Sequence, residues 1–215
     1  MIELNGRPKI FVKQSFEVAE LFGFETRNKY RILDESKNEI GFVAEQQKGI
    51  IGFFLRQFVG HWRSFEIHIY DRQRKPALKV AHPFRWYFTR LAVSDISHAD
   101  ASSGANPGTG RAIGTIEKRF SIFTKRFDVH DAAGSLIFEI ASPIFKFWTF
   151  KFVSMSRERA RVTKKWTGLG AELFTDKDTF VVEYLDQALT QDERSLVLAA
   201  SLYVDLTYFE QKAGN

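Results

Sequence analysis

Basic and aromatic side chains are interleaved at three places in the chain: Arg85, Trp86 and Arg90; Lys146, Trp148 and Lys151; and Lys164, Lys165 and Trp166. Lys and Arg attract phosphate while Trp settles at headgroup depth, so the mixture suits an anionic membrane surface. In that reading Arg85, Arg90, Lys146, Lys151, Lys164 and Lys165 bind lipid headgroups, and Trp86 and Trp148 make the apolar contact. The alternative is a solvated strand face with core aromatics opposite. A further stretch, Lys118, Arg119, Lys125 and Arg126 with Phe120, Phe123 and Phe127, has the composition to meet nucleic acid through phosphate contacts and base stacking.

Other chemistries find little support. The five histidines, at 61, 68, 82, 98 and 130, show no pair at helical metal-ligand spacing, and there is no cysteine to join them. The lack of cysteine excludes disulfides, thiolate catalysis and S-acylation. Gly108, Gly110 and Gly114 have the wrong spacing for a phosphate loop, and neither a Gly-x-Ser-x-Gly nor a dinucleotide fingerprint is present. The expectation is a non-hydrolytic protein. A net charge of +5 favours anionic partners, or serves solubility.

The elements that must position these groups read as strands. The composition includes 22 Phe and 4 Trp, large stiff side chains that favour sheet over helix. Three segments share one pattern: Tyr30 to Asp34 and on to Ala44, Ile67 to Asp71 and on to Ala81, and Phe127 to Asp131 and on to Ala141. In each, an alternating strand ends at Asp, a short polar turn follows, and a second strand reaches Ala ten residues later. An Asp there can bond backbone N–H groups ahead of it, so the repeated unit is a β-hairpin. Pro83 and Pro143 then open two aromatic strands, Phe84 to Val93 and Ile144 to Val153, in a register constant at 60 residues. In the second of these, both faces are largely apolar, so one lines a core and the other is capped or meets a membrane.

The C-terminal segment differs. Thr190 with Glu193 forms a capping box, and Gln191 to Lys212 then runs without Gly or Pro, predicting a helix of about 20 residues. Leu196 to Phe209 leaves almost no polar face, so the helix must be enclosed, and Ser201 and Asp205 need partners inside. Its apolar part spans roughly 20 Å, the height of a barrel of short strands. The chain is thus expected to be mainly β, a closed barrel filled by its own last helix.

The residues also resemble a known family. Gly23 to Tyr30 followed by Ala44-Glu45 is similar to the opening of phospholipid scramblase domains. Lys164 to Gly168, Glu172 to Phe180 and Asp205 to Glu210 resemble that family's closing blocks in the same order. The resemblance covers roughly residues 20 to 211 and extends to the wider Tubby C-terminal-like and LURP-one-related group. It implies a closed antiparallel barrel of about twelve strands around a central hydrophobic helix, lipid movement between leaflets stimulated by calcium, and, from the Tubby relatives, phosphoinositide binding. Where family members carry cysteine clusters that accept palmitate, this chain holds aromatic and basic residues, so membrane attachment must use charge and aromatic contact. The family's acidic motif maps to Asp176 and Asp178, with Asp186 near its end, a possible calcium set. A twelve-residue loop starting at Asp176 would put Val181 where Gly is needed and Gln187 where a bidentate carboxylate belongs, and the alternative is a turn capped by carboxylates.

By this reading residues 1–20 form an N-terminal extension, 21–215 form the barrel, and 97–110 form an exposed mobile loop. Neither a signal peptide nor a transmembrane span is legible. The expected location is cytoplasmic and peripherally membrane-associated. The expected partner is anionic phospholipid, with a protein-binding scaffold and a nucleic-acid-binding barrel as alternatives.

Overall fold

The computed structural model describes residues 2–14, 29–46, 65–82, 90–98, 110–120, 124–143, 149–164 and 179–208. Twelve strands are present among the described residues: β1 Lys9–Gln14, β2 Lys29–Leu33, β3 Glu39–Gln46, β4 Phe65–Asp71, β5 Pro76–His82, β6 Arg90–Asp95, β7 Arg111–Arg119, β8 Thr124–Asp131, β9 Leu136–Pro143, β10 Thr149–Ser154, β11 Arg157–Lys164 and β12 Thr179–Tyr184. Each pairs antiparallel with its sequence neighbours, and β1 also pairs with β12, which closes the barrel. The helix α1, Gln191–Tyr208, follows. The expected twelve-stranded barrel with a buried C-terminal helix is therefore the observed fold.

Alternation sets the wall. In β8, Phe127 and Val129 point inward and are buried, while Arg126, Asp128 and His130 face out. In β10 the inward face is Phe150 and Phe152, and the outer face is Thr149, Lys151 and Val153, so one of its two expected apolar faces is core. Residues 83–89 and 144–148, which hold most of the expected aromatic strands, lie outside the described residues.

The three repeated hairpins close through the same turn. Asp34, Asp71 and Asp131 each donate their N–H to the carbonyl four residues on, and each accepts at its own carbonyl from the residue three on. The carboxylate oxygen of each also accepts from the N–H four residues on, at 2.8 to 2.9 Å. The residue three beyond the Asp is left-handed each time: Lys37 at φ 65°, Arg74 at φ 64° and Gly134 at φ 86°. The Asp of the repeat is thus a turn-former, as its spacing predicts.

The helix begins as expected. Thr190 N–H donates to Glu193 Oε2 at 2.7 Å, and Glu193 N–H returns to Thr190 Oγ1 at 3.2 Å. From Arg194 to Asp205 no residue is more than 5% exposed, so every face of more than three turns is enclosed. β7 comes close enough to the helix that a Cβ at Gly114 would strike the His130 carbonyl and lie 3.1 Å from Leu196 Cδ1. Aromatic rings pack the interior edge to face, as Phe127 does against Tyr203 at 5.7 Å and Phe138 against Phe152 at 5.9 Å.

The N-terminal residues are structural. The segment expected to be an extension contains β1, without which β2 and β12 would be two open edges, and Ile2 and Leu4 are fully buried. The expected loop at 97–110 falls mostly on 99–109, outside the described residues.

Candidate functional site

The barrel has two chemically different ends. At one, the three turn aspartates gather with Asp95 and Asp186, where the helix also starts. This end is sealed by the N-terminal segment: the side-chain carbonyl of Gln191 accepts from Leu4 N–H and Asn5 N–H, both at 3.1 Å. Arg194, 1% exposed, completes the seal. Its guanidinium donates to the carbonyls of Leu4, Arg7, Gln187 and Leu189 and lies 4.7 Å from the Tyr184 ring centroid. Among the described contacts these carbonyl dipoles, the Gln187 side chain and the ring solvate the cation. Burial pushes the Tyr184 phenol well above its usual range, against the pull of Arg194.

At the other end, which we call the mouth, five strands carry cations at or beside their ends: Lys13 in β1, Arg90 in β6, Lys118 and Arg119 in β7, Lys125 and Arg126 in β8, and Lys164 in β11. Lys164 is turned inward. It lies beside Phe180 in the β11–β12 register, and its ammonium donates to Asp205 Oδ1 at 2.8 Å. Tyr30 Oη donates to Asp205 Oδ2 at 2.9 Å, and the Phe180 ring packs edge-on against Tyr30 at 6.2 Å. Asp205 so finds the partners its burial demands, and Ser201 Oγ donates to the Leu198 carbonyl at 2.6 Å.

The other expected headgroup ligands separate. Arg90 projects outward and pairs with Glu117 at 3.1 Å. Lys151 projects outward four strands away and pairs with Glu158 at 3.5 Å. Arg85, Trp86, Lys146, Trp148 and Lys165 lie outside the described residues, in connections that join strand ends at the mouth.

The acidic set behaves similarly. Asp176 and Asp178 lie outside the described residues, just before β12 begins at the mouth. Asp186 follows the far end of that strand, about 17 Å along at the usual rise per residue. Its Oδ1 accepts from Ala188 N–H at 2.9 Å and its Oδ2 from Arg159 Nε at 3.0 Å. The Ala188 N–H, then the Arg159 guanidinium, hold its carboxyl below the usual range. Asp186 is thus built into a turn, and among the described residues no three metal-ligating side chains converge.

The basic stretch at the β7–β8 hairpin is the arrangement that composition alone could not resolve. Arg119 lies directly opposite Arg126, and the next outward layer sets Glu117 opposite Asp128 and Asp128 opposite Glu139. Arg119 Nε reaches Asp128 at 3.0 Å, while Arg126 and Glu139 carry no ion-pair partner among the described residues. Phe120, beyond Arg119, is 94% exposed. A groove of about 940 Å³ runs from this tip down the outer face, past Arg126 and Glu139 to Leu136.

The pattern of the family described as Scramblase matches residues 2–211. The chain is similar to "Altered inheritance rate of mitochondria protein 25" of Saccharomyces cerevisiae, at 23% identity over 96% of this chain and 72% of that one. It is similar to "Phospholipid scramblase family protein C343.06c" of Schizosaccharomyces pombe, at 22% over 98% of this chain and 62% of the relative. It is similar also to Phospholipid scramblase 1 of Homo sapiens, at 24% over 96% of this chain and 64% of the relative. The chain therefore spans between 61% and 73% of the length of the curated relatives it matches.

Proposed function

The chain belongs to the scramblase family, and from that premise we propose that it is a peripheral membrane protein that binds anionic phospholipids and promotes their redistribution between leaflets. The observation that carries this reading is the family match across almost the whole barrel. The cations at the mouth support it, because several Lys and Arg on a rigid wall attract an anionic surface by modest contributions that add. Arg85, Trp86, Lys146, Trp148 and Lys165, outside the described residues, fall in sequence between strands that end at the mouth. No helix among the described residues is long and apolar enough to cross a membrane.

A second reading, a protein-binding scaffold with no lipid transport, is favoured by the filled interior. The twelve helical residues from 194 to 205 occupy the barrel's lumen, so among the described residues no polar path for a headgroup runs through it. Vesicles carrying a fluorescent lipid in one leaflet decide between the two. Acceleration of its exchange by the protein supports redistribution; vesicle binding without acceleration reduces the role to membrane attachment, and no binding leaves the scaffold. Running the assay with and without calcium also tests Asp176, Asp178 and Asp186.

A further inference from the structure

We infer that the β7–β8 hairpin is the docking point, with Phe120 entering an anionic bilayer, Arg119 and Arg126 clamping lipid phosphates, and the carboxylate layer below limiting the depth. This rests on the membrane reading above and goes beyond it by naming a surface and an orientation. Three observations converge on it. Phe120 stands 94% exposed at the end of β7, a large apolar ring that no described residue buries.

Arg119 and Arg126 face each other across the strand pair, a juxtaposition of like charges that opposes pairing unless an anion lies between them. Among the described residues only Arg119 of the two has a carboxylate, Asp128 at 3.0 Å. A phosphate placed between the two guanidinium groups would accept from both in the bidentate manner that favours Arg. Lys118 and Lys125 sit at the same level on the opposite, inward side of the strand pair, with Phe127 and Ser142.

The third observation selects the occupant. About 7 Å farther from the mouth, Glu117, Asp128 and Glu139 form a row of carboxylates across three adjacent strands, the first paired with Arg90, the second with Arg119 and the third without an ion-pair partner among the described residues. A nucleic acid tracking the groove would run its phosphates over that row, whereas a bilayer touching only the tip would meet cations and stop where the acids begin. Segregation into layers therefore favours a flat anionic surface over a threaded polyanion.

The absence of cysteine makes the test clean. Phe120→Cys in the full chain carries one environment-sensitive fluorophore, and Ser36→Cys, in the exposed turn of the opposite end, carries the same label as a control. On vesicles of phosphatidylcholine doped with phosphatidylserine, the label at 120 should shift to the blue and be quenched by lipid-borne quenchers, with the label at 36 unchanged. In unlabelled protein, Arg126→Gln should weaken vesicle binding about fivefold, the worth of one cation at a charged surface. Glu139→Lys should strengthen it by a similar or larger factor, a gain that a misfolded variant would not show.

Undiminished vesicle binding with no response at 120 would overturn this surface while leaving the membrane reading intact. A failure of wild type to bind any anionic vesicle would remove both. Binding of a single-stranded oligonucleotide in preference to vesicles, lost in Arg126→Gln, would assign the hairpin to nucleic acid and overturn the inference.

Discussion

Lys164 on β11 and Asp205 on α1 form an ion pair of 2.8 Å inside the barrel, with side chains 10% and 7% exposed. The pair joins the buried helix to the wall near the mouth, at the end opposite the hydrogen bonds that anchor its first turn. Two desolvated charges are tolerated because each satisfies the other and Tyr30 Oη donates to the remaining carboxylate oxygen.

Removing one partner should be severe. Lys164→Met is expected to destabilise the fold by about 3 to 5 kcal/mol, because Asp205 would stay buried with only Tyr30. The triple variant Lys164→Met, Asp205→Leu, Tyr30→Phe should recover most of that loss. Denaturant unfolding of the single and triple variants checks the contrast; equal losses would show that the pair is not the source.

Arg194→Met removes the guanidinium donor from the carbonyls of Leu4, Arg7, Gln187 and Leu189, of which Leu4 keeps the Arg7 N–H. A loss of roughly 3 kcal/mol is expected. It should be local at first: amide exchange at Leu4 and Asn5, which donate to Gln191, should accelerate before exchange in β8 and β9. Hydrogen exchange read residue by residue checks this.

The three equivalent turns should not be equally sensitive. Asp71 is 8% exposed and its Oδ1 accepts from Gln73 N–H and Lys75 N–H. Asp71→Ala should cost about 2 kcal/mol. Asp131 makes the same two bonds from a more exposed position, and Asp131→Ala should cost about half as much because water replaces part of what is lost. Thermal unfolding of the two variants gives the order.

Asp95 sets an acid limit. Burial acts to raise its pKa, but the Ser97 hydroxyl and N–H, with Arg111, outweigh it and leave the carboxyl below its usual range. A carboxyl depressed in the folded state contributes stability that is complete above the unfolded value of about 3.9 and is lost as pH falls through the folded value. The stability gap between wild type and Asp95→Asn should therefore be constant near neutrality and shrink below about pH 4. Unfolding midpoints across that range test the sign.

Much of this architecture was local and therefore legible. A turn Asp bonds N–H groups two and four residues ahead, and a capping box spans four residues, so both are written in short stretches at Asp34, Asp71, Asp131 and Thr190. An α1 apolar on every face also has to be enclosed, whatever encloses it. What the chain could not state was parity. A strand position faces core or solvent according to register around the closed wall, and a shift of one residue reverses it. Lys164 and Arg126 look alike as basic residues near aromatics, yet pairing beside Phe180 turns the first toward Asp205, and pairing beside Arg119 turns the second outward. Closure also made Lys9–Gln14 a staff of the barrel, because the edge strands β2 and β12 exist only once the rest has folded and only β1 can cover both.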